Sequence, residues 1–163
     1  MHSSRARFLR FGLLGTMLLT LTFMIAPTAA ASAPSETELV IATAKAQIGD
    51  KWELRAKGPN RFDCSGLVWY AFYQNGLKDK IGGYRSVAGY YNWFKNQGLA
   101  SKSNLQIGDL IVWGANQHIG IYIGDGKAIS TLTTRHGVTV HPVWGYLGIR
   151  VKTFLHTQIT RPE

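Results

Sequence analysis

The chain holds a single cysteine, Cys64, set between Asp63 and Ser65-Gly66 and followed by Leu67-Val-Trp-Tyr-Ala-Phe-Tyr73. Asp63 is of the residue type that caps helix starts, so the thiol falls in the first turn of a helix. Backbone N–H groups without intrahelical partners and the positive end of the helix dipole lie there. Both favour a thiolate, and thiols so placed have a lowered pKa. The same N–H groups can stabilise the oxyanion of a tetrahedral intermediate, and Gly66 is expected to keep the approach to the sulfur open. A lone cysteine cannot form an internal disulfide, so it is either an inert buried side chain or a working thiol. Its placement selects the second reading, a nucleophile.

A cysteine nucleophile needs a base, and the histidines number five. His2 belongs to an N-terminal segment set apart below. His136 sits in a polar loop, His141 shares a strand face with Thr139, and His156 lies near the end of the sequence. His118 opens an apolar strand, Ile119-Gly-Ile-Tyr-Ile123, with Gly120 leaving space on its face, and is the candidate base. Metal chemistry fits poorly, because no H-x-x-x-H or H-E-x-x-H spacing occurs and one cysteine with scattered histidines is not a ligand pattern. Neither a metal nor another cofactor is expected.

These residues require elements to hold them. Ser35-Glu-Thr-Glu38 reads as a capping box opening a helix, with Val40, Ala44 and Ile48 on one face and Gly49 as its stop. Residues 50–62 show no sustained period, and Gly58-Pro59-Asn60 marks a turn. The helix carrying Cys64 runs to Gly76 and is apolar nearly all round, so it should be buried on most sides. A third helix fits Ser86 to Gln97. Beyond Lys102 the pattern turns to strands at 109–113, 118–123, 127–130, 138–141 and 149–154, with Gly124-Asp-Gly126 as a hairpin turn. The expectation is one α+β domain, with helices on one face of a small antiparallel sheet of about five strands.

The ends and the charge bound the setting. Arg5, Arg7 and Arg10 precede an apolar run from Phe11 to Ala26 and the small residues Thr28-Ala-Ala-Ala-Ser-Ala33. That order is a secretory signal peptide, residues 1–31, with cuts possible after Ala31 or Ala33. An uncleaved anchor is the alternative, although the run is short for a span. The expected product, residues 32–163, is an exported domain without a stable membrane span. The formal charge of +9 falls to near +6 without the leader, which suits an anionic partner such as a cell-wall polymer. Nucleic acid is not expected, because no basic run or recognition motif occurs.

Three blocks then stand in order: Gly58-Pro-Asn-Arg-Phe-Asp-Cys-Ser-Gly-Leu-Val68, Gly108-Asp-Leu-Ile-Val112, and His118-Ile-Gly-Ile-Tyr-Ile-Gly-Asp-Gly126. Together they resemble the NlpC family of cell-wall cysteine peptidases, from about Leu39 to His141. The resemblance implies a papain-like fold, in which a helix carrying Cys64 packs on a sheet carrying His118. It implies hydrolysis of peptidoglycan stem peptides, commonly between D-glutamate and the diamino acid, by an exported, wall-associated enzyme. Asp63 and Ser65 match family positions that line the substrate groove and in some members hold the free amine of the stem peptide. Two positions depart from the pattern. Trp52 stands where the family carries a tyrosine aimed at the reaction centre, and an indole N–H can donate but not accept. The third polar residue, twelve places after the histidine, is Ser130, a neutral group. His141 ends the next strand and is the alternative orienter of His118. An amidase of the same fold, or a wall-binding module that has lost catalysis through Trp52 and Ser130, are the competing readings.

Overall fold

In the computed structural model, residues 32–145 and 148–162 are described. The expected signal segment, residues 1–31, lies outside them. Ser35 caps the first helix, α1 (Glu36–Lys45), and the Glu38 carboxylate returns to the Ser35 N–H, completing the box. The chain leaves α1 through turns to Gly49, whose φ of +96° suits a residue without Cβ. The segment 50–62 contains two short strands, β1 (Lys51–Trp52) and β2 (Arg61–Phe62), paired in parallel. Two residues are too few for alternation to show, which is why periodicity misses them.

Asp63 caps α2 (Cys64–Tyr73), and α2 buries Leu67, Val68, Ala71 and Phe72. A 3-10 turn (Lys78–Ile81) leads to α3 (Val87–Asn96), capped by Ser86. The strands that follow are β3 (Ala100–Ser101), β4 (Leu110–Trp113), β5 (His118–Gly124), β6 (Lys127–Thr131), β7 (Val138–Pro142) and β8 (Val151–Leu155). They form one antiparallel sheet of six, ordered β3-β8-β4-β5-β6-β7. The α+β architecture is as expected. The sheet exceeds the expected five strands by β3, another two-residue strand, which pairs with β8 at the sheet's edge.

Alternation along the strands sorts side chains to two faces. Leu110, Val112, Ile119, Ile121 and Ile129 join Leu67, Ala71 and Phe72 in the main core. Ile111, Trp113, Ala128 and Phe154 form a second cluster with Val143, against which Ile149 and Val151 pack. His118 pairs directly with Trp113 across β4 and β5, so it belongs to this second face. The buried Asp109 ties the C-terminal stretch to the entrance of β4: its carboxylate takes His156 Nδ1 at 2.7 Å and the Arg161 guanidinium at 2.8 Å. Among the described residues no helix is long and apolar enough to cross a membrane.

Candidate active site

The first turn of α2 is wired by Asp63. One carboxylate oxygen accepts from the Gly66 N–H at 2.6 Å and from the Ser65 hydroxyl at 2.8 Å, and the other accepts from the Arg55 N–H at 2.9 Å. The Leu67 N–H donates to the Asp63 carbonyl. The N–H groups of Cys64 and Ser65 in the turn, and that of Ile119 on β5, are near enough to the Cys64 sulfur to favour its charged form. The thiol therefore sits where the start of α2 meets the start of β5. Gly66 has a different purpose from the one expected: a Cβ there would run into the Ala56 carbonyl. Its missing side chain lets the loop 55–57 close over the helix start, rather than clearing a path to the sulfur.

Cys64 and His118 line one cleft of about 470 Å³, together with Trp52, Asp63, Ser65 and Gln117. The expected substrate-groove residues thus fall at the cleft that holds the thiol, whereas Ser130 and His141 do not line it. The Ser65 hydroxyl and three of the acceptor positions of Asp63 are already used in capping, so these groups offer a substrate their remaining lone pairs only. Gln117 and Asn116, in the turn between β4 and β5, also line the cleft. Sequence reasoning does not find them, since a polar residue in a turn carries no signal of its own.

Behind His118 a chain of hydrogen bonds crosses three strands. His118 Nε2 is 2.8 Å from Ser130 Oγ on β6. The same Ser130 Oγ is 2.7 Å from His141 Nε2 on β7, and His141 Nδ1 is 2.9 Å from the Pro142 carbonyl. The family resemblance offers Ser130, and the end of the next strand offers His141, as alternative orienters of His118. They act in series. The polarity of the chain follows from its last member, since a carbonyl can only accept. His141 therefore carries its proton on Nδ1, and neutral His141 presents Nε2 as an acceptor. The Ser130 O–H donates to it, and Ser130 Oγ accepts from His118 Nε2–H. His118 is left with an unprotonated Nδ1, the tautomer a base requires.

Two further residues hold this arrangement, and neither function is evident in the sequence. A Cβ at Gly120 would lie 2.9 Å from the Ser130 Cβ and 2.9 Å from the Ile129 carbonyl oxygen. The space beside His118 is thus filled by Ser130, which could not approach over a larger residue. Trp113 is fully buried under both imidazoles, its ring 5.4 Å from that of His118 and 5.6 Å from that of His141, centroid to centroid. Its indole N–H donates to the Val143 carbonyl at 2.9 Å, which fixes the ring.

The electrostatics differ from the expectation of a lowered thiol pKa. Burial pushes the Cys64 thiol up, to about 11, and outweighs the N–H groups of Ile119, Ser65 and Cys64 itself, while the nearby Asp63 carboxylate adds to the rise. Burial also pushes His118 down, to about 4, with His141 contributing. His141 is lowered by its own burial. The resting cleft therefore holds a neutral thiol and a neutral imidazole. Such a pair can pass a proton as the sulfur attacks. Among the described residues no group of three His, Cys, Asp or Glu side chains could hold a metal ion.

The chain is similar to known proteins over this same region. It is 34% identical over 114 residues to a probable endopeptidase of Corynebacterium glutamicum, covering 69% of this chain and 51% of that protein. It is 34% identical over 117 residues to the probable endopeptidase p60 of Listeria grayi, covering 70% of this chain and 21% of that one. The chain therefore spans about half, or less, of the length of these relatives. Among solved structures, the peptidoglycan hydrolase RipB of Mycobacterium tuberculosis superposes with a TM-score of 0.58 at 29% identity, covering 77% of this chain and 66% of that one. The NlpC/P60 family model matches residues 49–153, the stretch that runs from the turn before Trp52 through Cys64, His118, Ser130 and His141 into β8. On that match, this chain belongs to the NlpC/P60 family.

Proposed function

We propose that this chain is an exported peptidoglycan hydrolase that cleaves stem-peptide amide bonds, between D-glutamate and the diamino acid, with Cys64 as nucleophile and His118 as base. The observation that carries this reading is the directed hydrogen-bond chain from Pro142 through His141 and Ser130 to His118, which ends at the cleft holding the only thiol. A binding module would have no use for a base held in one tautomer. Substrate in the cleft displaces water, and His118 Nδ1 takes the Cys64 proton as Sγ attacks the carbonyl carbon. The imidazolium so formed is stabilised by donating Nε2–H to Ser130. The N–H groups of Cys64 and Ser65 are the donors available to the oxyanion, and the indole of Trp52, which also lines the cleft, is a further donor of the right kind. His118 returns its proton to the departing amine, and water then releases the acyl group from sulfur. The Asp63 carboxylate and the Ser65 hydroxyl oxygen, both acceptors at the cleft wall, suit the free amine of the stem peptide.

Digestion of purified wall, with the masses of the soluble fragments recorded, tests the reading. Soluble peptides that begin with the diamino acid, with D-glutamate left ending the sugar-bound stub, support it, whereas stem peptides released whole from the sugar would make the enzyme an amidase. Cys64→Ala should abolish release while the protein stays folded, since it removes one partly buried sulfur. Release by that variant at the wild-type rate would refute the mechanism.

A further inference from the structure

A second depression, of about 520 Å³, lies between the end of α3, β3 and the start of β8. Lys95, Lys102, Arg150 and Lys152 line it, and no acidic residue does. Among the described residues the carboxylates in ion pairs are Glu53 with Arg61, Asp79 with Lys78, and Asp109 with His156 and Arg161. None of them serves a cation of this groove. Two of the cations are nevertheless held in place: Lys152 Nζ lies 3.7 Å from the centroid of the Tyr91 ring and donates to Asn116 Oδ1 at 2.8 Å. Lys95 Nζ lies 5.8 Å from the centroid of the same ring. Two ammonium groups sharing one aromatic ring repel each other. An anion relieves that repulsion and meets side chains already ordered, so little of the usual entropy of binding is lost.

We propose that this groove docks an anionic wall polymer built of repeated phosphates; the assignment rests on the wall reading given above. A groove lined by four cations and no carboxylate suits a chain that carries one charge per repeat. Lysine and arginine are the side chains that bind phosphate oxygens. Single-stranded nucleic acid fits less well, because it needs aromatic faces for its bases and Lys152 covers that of Tyr91. The location gives the docking a purpose. The turn 114–117 separates groove from cleft: Gly114 lines the groove, while Asn116, the partner of Lys152, lines the cleft with Gln117 and His118. A polymer seated in the groove holds the catalytic cleft against the adjoining peptidoglycan.

The test uses the full chain and two variants of equal charge. One is the groove triple Lys95→Gln, Lys102→Gln and Arg150→Gln, which keeps Lys152 because its partner Asn116 lines the cleft. The other is the triple Lys45→Gln, Lys78→Gln and Lys127→Gln, at positions that do not line the groove. Binding to soluble poly(glycerol phosphate) is measured across a salt series, together with sedimentation on wall sacs before and after acid removal of their phosphate polymers. The groove triple should bind the polymer ~10-fold or more weakly at ~0.1 M salt, with a flatter dependence on salt, since each cation removed releases one fewer counterion. The other triple should change little, and stripped sacs should bind all three proteins alike. Equal weakening by both triples would overturn the proposal in favour of net charge alone. Unchanged binding by the groove triple, or tighter binding to single-stranded DNA of matched charge, would overturn it as well. Hydrolysis of a small soluble muropeptide should be the same for the wild type and both triples. Its absence in the wild type would count against the hydrolase reading, whereas polymer binding reports on the groove.

Discussion

If His141 acts on His118 only through Ser130, the two residues should fail together. Ser130→Ala removes the one direct hydrogen bond to His118 Nε2. In the transition state that nitrogen is part of an imidazolium, and a buried hydrogen bond to a charged group contributes ~1.5–3 kcal/mol. The expected fall in kcat/KM is ~10- to 150-fold. His141→Ala leaves Ser130 in place but takes away the acceptor for its proton. The hydroxyl is then able to turn and donate to His118 Nε2, which moves the His118 proton to Nδ1 and leaves the wrong tautomer facing the thiol. A loss of ~10-fold, or about 1.4 kcal/mol, follows. In the double variant that turn cannot occur, so it should be no slower than Ser130→Ala alone, with a coupling energy of about 1.4 kcal/mol. Rates on a defined muropeptide give the cycle, and thermal melts establish that each variant is folded. The nitrogen shifts of His118 report the tautomer directly, with the proton on Nε2 in the wild type and on Nδ1 in His141→Ala. A double variant whose loss equals the product of the two single losses would refute the series arrangement. So would a wild-type His118 already protonated on Nδ1.

Two other outcomes follow from the same site. Folding lowers the His118 pKa from its ordinary 6.5 to about 4, so between these values the unfolded chain binds a proton that the folded one refuses. The stability in question is present above pH 6.5 and is lost as pH falls toward 4, by up to ~3 kcal/mol. Urea melts across that range should show the decline, and His118→Asn should reduce it, leaving the part due to His141, which burial also lowers. Gly120→Ala places a methyl group against the Ser130 Cβ and the Ile129 carbonyl. It should cost ~1–3 kcal/mol of stability by overpacking and should lower kcat/KM as Ser130 is displaced. A variant with wild-type rate and melting temperature would show that β6 can shift without harm to the relay.

Much of the site is legible in the sequence because it is local. Asp63, Cys64, Ser65 and Gly66 are consecutive, and an N-cap followed by an apolar run dictates a helix start with the thiol in its first turn, whatever the rest of the molecule does. His118 at the head of an apolar strand, the hairpin turn at 124–126 and the capping box at Ser35 are equally local, whereas Ser130 comes from the family resemblance, which places a third polar residue twelve positions after the histidine. The short strands β1, β2 and β3 are not legible, since two residues cannot display a period and their pairing depends on partners distant in the chain, as far as β8 is from β3. Nor is the thiol's high pKa: the helix start favours a thiolate, but the burial that reverses it comes from β5 and the cleft walls. The relay is the clearest case of what only tertiary structure decides. Nothing in the spacing of His118, Ser130 and His141 says whether the serine and the second histidine compete or connect. That is settled by the registers of β5, β6 and β7, which place the three on one sheet face in diagonal succession, by the absent Cβ of Gly120, and by the Pro142 carbonyl, which fixes the direction of every proton between it and His118.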